Sequence, residues 1–187
     1  MKAFCINLKE RPENWVKFRS QQLPFEVERF EAIKDSPGWK GCTKSHLEIM
    51  KKIDGMTIVM EDDCLFLKEW NYIEDIMKQL PDNWDALYLG ATLNVPLEKY
   101  SDNLFRLKGG WTTHAIIYKD DTIPKFIVKH MAPIRKIDVY LAELQEKFNV
   151  FITYPLTATQ RPGYSDVINR EQDYAIINER YKLYVKV

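Results

Sequence analysis

The chain is predicted to fold as a single α/β domain, with a mostly parallel central sheet flanked by helices. Three observations carry this expectation. Short apolar runs alternate with segments whose apolar residues recur every three or four positions. No Pro/Gly/Ser-rich linker and no internal repeat divides the 187 residues. That length suits one domain with a sizeable core and is short for two.

The elements follow in order. Lys2–Leu8 is a β-prone apolar run that reads as a buried strand and breaks into the polar stretch Lys9–Glu13. Pro12 opens a helix to about Gln22, because proline suits a helix's first turn. Phe25–Ile33 sets Phe25, Val27, Phe30 and Ala32 among charged residues and reads as a half-exposed strand. Asp35–Trp39 is a turn-rich loop. Gly41–Ile53 forms a helix with Cys42, His46, Ile49 and Ile53 on one stripe, and Gly55 ends it. Met56–Met60 is a continuous apolar strand. Trp70–Leu80 is helical and stops at Pro81-Asp82-Asn83. Trp84–Leu89 is a strand closed by Gly90. A weak strand at Leu104–Leu107 precedes Gly109-Gly110 and the strand His114–Tyr118. Helices cover Asp121–His130 and Ile137–Phe148, the second striped by Ile137, Leu141, Leu144 and Phe148. Val150–Tyr154 is a further strand. Glu171–Val187 ends in the alternation Leu183, Val185, Val187 and is expected to dock as a strand or a helix pair.

Hydrophobic residues at 45% and charged residues at 29% match an ordinary globular protein and exclude disordered, collagen-like and low-complexity chains. Lys+Arg 27 balances Asp+Glu 27, so the basic excess that phosphate binding demands is missing and nucleic acid is not an expected partner. The apolar runs are far shorter than the ~20 residues that span a bilayer. The start has one lysine and too little apolar sequence for a signal peptide. Cys5, Cys42 and Cys64 are odd in number and widely spaced, which fits reduced core residues in a cytoplasmic protein.

The strongest local signal is Ile58-Val59-Met60-Glu61-Asp62-Asp63, a buried strand ending in three carboxylates. Alternation along a strand puts Glu61 and Asp63 on one side and Asp62 on the other. Two carboxylates at ~4 Å repel by ~1 kcal/mol in water and ~4 kcal/mol at an effective dielectric near 20. A divalent cation relieves that repulsion, and an all-oxygen ligand set selects Mn²⁺ or Mg²⁺ over Zn²⁺. The triplet also falls where open α/β sheets bind ligands, beyond the carboxyl ends of strands. The plain alternative is a solvated acidic turn capping the next helix. Walker, Gly-x-Gly-x-x-Gly and Gly-x-Ser-x-Gly patterns are all missing, which removes P-loop NTPases, Rossmann enzymes and α/β-hydrolases.

Other candidates carry two readings each. His46 sits on an apolar stripe and is first a hydrogen-bonded core residue, with Ser45 or a backbone carbonyl as its partner. Asp138 lies in a helix's first turn, where the macrodipole alone favours a carboxylate; its functional reading is a general base. His114 follows Gly109-Gly110-Trp111-Thr112-Thr113 and reads as an edge-strand residue or a site residue. Trp111, beside two glycines, is either core or a sugar platform.

The order of these signals resembles glycosyltransferase family 25, which includes lipopolysaccharide/lipooligosaccharide and procollagen galactosyltransferases. The likeness runs through Ile6-Asn7-Leu8 with Arg11-Pro12, Arg29-Phe30-Glu31-Ala32-Ile33, Gly41-Cys42-Thr43-Lys44-Ser45-His46 and Glu61-Asp62-Asp63. It continues in Trp84-Asp85, Leu89-Gly90, Thr113-His114-Ala115, Ile137-Asp138, Pro155, Gln160 and Ser165-Asp166-Val167, so it spans about residues 3–167. Asn14 and Ile116 stand where the family often has arginine and tyrosine.

The resemblance implies a GT-A type nucleotide-sugar-binding domain over 1–187, with 171–187 as a C-terminal extension. It implies an inverting, metal-dependent hexosyltransferase. Such an enzyme would move galactose or glucose from a nucleotide-diphosphate sugar, a UDP-sugar first, to a glycan or lipid-linked glycan acceptor. Asp63 and Glu61 would hold Mn²⁺ or Mg²⁺. Asn7, Arg11, Ser45, His46, Glu61 and Asp62 would face the donor, and Asp138 would be the base. The rival reading is a non-catalytic glycan- or nucleotide-binding module on the same fold.

Overall fold

The computed structural model describes residues 1–185. In chain order its elements are β1 (Lys2–Asn7), α1 (Pro12–Arg19), β2 (Glu28–Glu31), α2 (Gly38–Met50), β3 (Thr57–Glu61), β4 (Cys64–Phe66) and α3 (Trp70–Met77). Then come β5 (Ala86–Tyr88), β6 (Thr92–Leu93), β7 (Glu98–Lys99), β8 (Leu104–Arg106), β9 (Gly110–Trp111), β10 (Ala115–Tyr118), α4 (Thr122–His130) and α5 (Ile137–Leu144). The chain closes with β11 (Val150–Thr153), β12 (Ala158–Gln160), β13 (Gly163–Ser165), β14 (Arg170–Gln172) and α6 (Ala175–Tyr184).

Eight strands form one sheet in the order β2-β1-β3-β10-β5-β11-β8-β7. The sheet is mixed, which corrects the expectation of a mostly parallel one. Parallel pairing is confined to β2–β1–β3 and β5–β11. β10 runs antiparallel to both β3 and β5, and β8 and β7 close the far edge antiparallel. The reason lies in the connections. The chain between β5 and β10 runs through the short strands β6–β9 with no helix, and a parallel return is usually made through a crossover helix.

Alternation along the strands builds a core on each face. Phe4, Val59, Tyr88, Ile116 and Ile152 pack with Ile49 of α2, Ile127 of α4, Leu141 of α5 and Ile177 of α6. Ala3, Cys5, Ile58, Met60, Leu87 and Ile117 pack on the other face with Phe18 of α1 and Ile73 and Ile76 of α3. The sheet is therefore covered on both sides, which is why β3 and β10 read as continuous apolar runs.

The expected helix to Phe148 ends at Leu144. The C-terminal stretch forms the β13–β14 hairpin and then a helix, because Ile177 and Tyr181, four apart, dock one helical face onto the core. Leu183 is exposed on that helix, so the expected period-2 alternation is not realised; Val187 lies outside the described residues. Among the described residues no helix is long and apolar enough to cross a membrane.

Candidate functional site

β1 and β3 run parallel and end together, with Ile6 opposite Glu61. Thr57 to Met60 are buried; Glu61 is the first residue of β3 to reach the rim, and the chain then turns through Asp62 and Asp63 into β4. Each carboxylate meets a different wall. Glu61 Oε1 accepts from Thr113 Oγ1 at 2.5 Å and lies 3.3 Å from His46 Nε2. Asp62 turns to the β1 side, where it accepts from Asn7 Nδ2 at 2.5 Å. Asp63 Oδ2 accepts from Gln160 Nε2 at 2.9 Å, because β12 pairs with β4 and sets Gln160 opposite Cys64. Arg161 ties the turn down, with its N–H on Asp63 O at 2.7 Å and its guanidinium on Asp62 O.

These contacts leave the charge only partly compensated. Burial, then the charges of Glu61 and Asp62, push the Asp63 carboxyl well above its usual range. Burial also raises Asp62, against the hydrogen bond from Asn7. Burial works the same way on Glu61, but His46, Thr113 and the nearby His114 together hold it below the ordinary value. The Tyr174 phenol lies against the same pair: burial and the charge of Asp63, with a smaller contribution from Glu61, push it up. Asp63 Oδ1 and Gln160 Oε1 are buried with no hydrogen-bond partner.

Asn7, 1% exposed, organises the β1 side. Its Nδ2 also donates to Arg11 O at 3.0 Å, and its Oδ1 accepts from Arg29 Nε at 2.8 Å. Arg11 itself turns to the β13–β14 hairpin, donating to Tyr164 O at 3.0 Å and pairing with Asp166 at 2.8 Å. Ser45 does not line the site. Its hydroxyl, fully buried, donates to Gly41 O one turn back in α2 and accepts from Ile33 N–H, both at 2.8 Å, so its donor is used within the helix and its acceptor fastens α2 to the β2 exit. His46 is buried as a core histidine would be, yet its partner is Glu61 rather than Ser45 or a carbonyl; its Nδ1 has no partner.

Asp138 is brought near Cys42 through α2. Thr43 Oγ1 donates to Arg135 O at 3.0 Å and accepts from Ile137 N–H at 3.2 Å, pinning the start of α5 beside the Cys42–His46 turn. There Asp138 is half-buried, accepts from Val139 N–H at 2.8 Å, and its charge helps raise the Cys42 thiol, which burial raises first. His114 lies beneath the site. Burial pushes its imidazole down to about 4. Gly90 faces it: a Cβ there would sit 2.1 Å from Ala158 O and 2.8 Å from His114 Nε2.

Among the described residues, Cys42, His46 and Glu61 form one group whose ligand atoms lie within 4.8 Å of one another and could hold a metal ion, which corrects the expectation of an all-oxygen ligand set with no Cys or His nearby. The three cysteines are free.

Thr113, Gln160, Arg29, Arg161 and Tyr174 were not singled out as site residues by sequence reasoning. The first three stand inside the motifs that carry the family resemblance, which is the signal that points to them. Arg161 and Tyr174 carry no comparable signal, since their roles depend on chain turns far along the sequence.

No family model and no curated protein matches the sequence. Among solved structures the fold is similar to A197 from STIV, at 11% identity and TM-score 0.45, covering 91% of this chain and 93% of that one. It is also similar to a mannose-1-phosphate geranyltransferase from Thermus thermophilus, at 10% identity and TM-score 0.42, covering 80% of this chain and 58% of that one. A Bacillus anthracis protein described as a glucose-1-phosphate thymidylyltransferase shows 14% identity and TM-score 0.40, covering 84% of this chain and 69% of that one. Likenesses at this level bear on neither activity nor ligand, which rest on the site's own residues.

Proposed function

We propose that the protein is a cytoplasmic glycosyltransferase of the family 25 kind on a GT-A type domain. It transfers a hexose, galactose or glucose, from a UDP-sugar or related nucleotide-diphosphate sugar to a glycan or lipid-linked glycan, with inversion. The observation that carries this reading is the carboxylate triplet at the end of β3, gathered into one rim with Asp63 Oδ1 left buried and unpartnered.

The residues fit a divalent cation. The orphaned Asp63 oxygen and the mutual repulsion of Glu61, Asp62 and Asp63 are what a bound positive charge would relieve. Asp63 and Glu61 would hold Mn²⁺ or Mg²⁺, which supplies counter-charge to a departing diphosphate. A softer metal would also find Cys42 and His46 beside Glu61.

The remaining chemistry belongs to the chain. Asn7, fixed by Arg29 and bonded to Asp62, orients the β1 wall toward the donor. His46 and Thr113 hold Glu61 ionised. Asp138 accepts the proton of the acceptor hydroxyl as its oxygen bonds to the anomeric carbon. The bond from that carbon to the phosphate oxygen breaks on the opposite face, and the nucleoside diphosphate leaves with the electron pair. Arg11 serves the donor indirectly, by holding the hairpin at Tyr164 and Asp166.

A thermal-shift panel of UDP-, GDP-, CMP- and dTDP-linked sugars, each with Mn²⁺ and with EDTA, tests the reading. A ligand at 100 times its dissociation constant stabilises by ~2.7 kcal/mol. The expected result is a Mn²⁺-dependent shift with one nucleotide class, lost in Asp63→Ala. Asp138→Asn should keep the shift and lose transfer. No shift with any nucleotide sugar overturns the proposal.

A further inference from the structure

Trp111 stands apart from the other tryptophans. Trp70 and Trp84 are buried and Trp15 and Trp39 half-buried, whereas Trp111 is 44% exposed. Yet the backbone that carries it is held firmly. Buried Gln145 accepts the N–H groups of Gly109 and Gly110, each at 2.7 Å, and donates its own amide to Gly110 O at 2.8 Å. Gly110 and Trp111 also pair antiparallel with Leu93 and Thr92.

The next residue adds strain. Thr112 has φ 72°, a left-handed conformation that costs a non-glycine residue on the order of 1 kcal/mol. Its hydroxyl donates to Trp111 O at 2.5 Å. The turn drives Thr113 inward to its bond with Glu61. An exposed indole on a fixed backbone therefore lies two residues from the partner of a site carboxylate, a span of at most about 7.6 Å between Cα atoms.

The surroundings suit a sugar. An aromatic face is negative and attracts the C–H groups that line one face of a pyranose ring. Hydroxyls at the ring's edge need acceptors nearby. Glu61 is one, and Asp138 is on the helix that packs against β9, two turns before Gln145 on the same helical face.

We propose that Trp111 is the platform on which a pyranose ring stacks at the mouth of the carboxylate site. The proposal deepens the glycosyl-transfer reading and rests on it for the choice of a sugar as ligand. Trp111→Ala and Trp111→Phe are compared with the wild type in two arms. The first titrates methyl β-galactoside and methyl β-glucoside, read by tryptophan fluorescence and calorimetry. The second measures, with Mn²⁺, the affinity of UDP-galactose and UDP-glucose relative to UDP.

Trp111→Ala should weaken binding about tenfold in at least one arm, with UDP itself unchanged, and Trp111→Phe should restore most of it. A loss in the first arm assigns the ring to the acceptor, and a loss in the second assigns it to the donor hexose. Unchanged affinities in both arms overturn the proposal, as does a wild type that binds neither the glycosides nor the UDP-sugars. Failure of the transferase reading looks different: UDP and UDP-sugars fail to bind the wild type, while glycoside binding still depends on Trp111.

Discussion

Along the parallel half of the sheet, β2–β1–β3, the residues at the rim are ionic: Arg29, Glu61, Asp62 and Asp63. The groups that the rest of the chain brings against them are neutral, apart from Arg161. Thr113 precedes β10, Gln160 ends β12, Gln145 holds β9, and His114 is kept uncharged by burial. One half concentrates charge that the fold leaves partly uncompensated. The other fixes shape with amides and hydroxyls such as Gln145, whose bonds are made, while Gln160 Oε1 and both ring nitrogens of His114 are buried without partners. A charge with no partner in the protein waits for one outside it, whereas a satisfied amide holds its neighbours in place.

If the mixed half is rigid, adding a single methyl group to it should be costly. Gly90→Ala would press a Cβ to 2.1 Å from Ala158 O, a backbone atom that cannot rotate aside. The expected loss is at least about 3 kcal/mol by denaturant unfolding. A loss below about 1 kcal/mol would show that this half gives way as readily as a surface loop.

Acid tests the same half more gently. The folded pKa of His114, about 4, lies below the ordinary 6.5, so the unfolded chain takes up the proton first as pH falls. The stability from keeping this ring neutral is whole above about pH 6.5 and drains away toward pH 4, with about 2 kcal/mol lost between pH 7 and pH 5. Asp62 and Asp63, raised in the fold, run the opposite way, so the measurement is the difference between wild type and His114→Gln. Identical pH dependence in the two proteins would clear His114 of the role.

The charged half should respond with the opposite sign. Asp63→Asn removes a carboxylate whose ionised form the fold disfavours, so unfolding free energy should rise by on the order of 1 kcal/mol at neutral pH. The gain should shrink as pH falls below the raised folded value and vanish only below about pH 4, the ordinary carboxylate range, where the unfolded chain is protonated as well. Destabilisation at neutral pH would mean that the triplet is already compensated.

The same division explains what could be read before the fold was known. β1, α2 and β3 announce themselves by periodicity and by an abrupt change from apolar to acidic residues at Glu61; both strands form within a residue or so of their expected bounds, and α2 forms three residues earlier, over Gly38–Met50. Elsewhere the strands are short: β4 and β12, which pair in a separate two-stranded sheet, hold three residues each, too few to show alternation. Their pairing is what delivers Gln160 to Asp63, 97 positions away. Direction within the sheet was equally hidden, because it depends on how chain segments return. Ser45 shows the converse limit. Its place beside His46 in a motif suggested the site, but one step along a helix turns a side chain by about 100°, and that turn took it into the core.

The clasp between Arg11 and the hairpin has a consequence for how the molecule comes into being. Arg11 emerges from the ribosome first, and Tyr164 follows 153 residues later. At common translation speeds the interval is roughly 8 to 30 s. For the last two thirds of that interval, once β3 is made, β1 and β3 are available to pair, while Gln160, Arg161 and the hairpin do not yet exist. Until then Asp62 has Asn7 of β1 as its donor, whereas Asp63 lacks Gln160 and must be balanced by cations in the surrounding fluid.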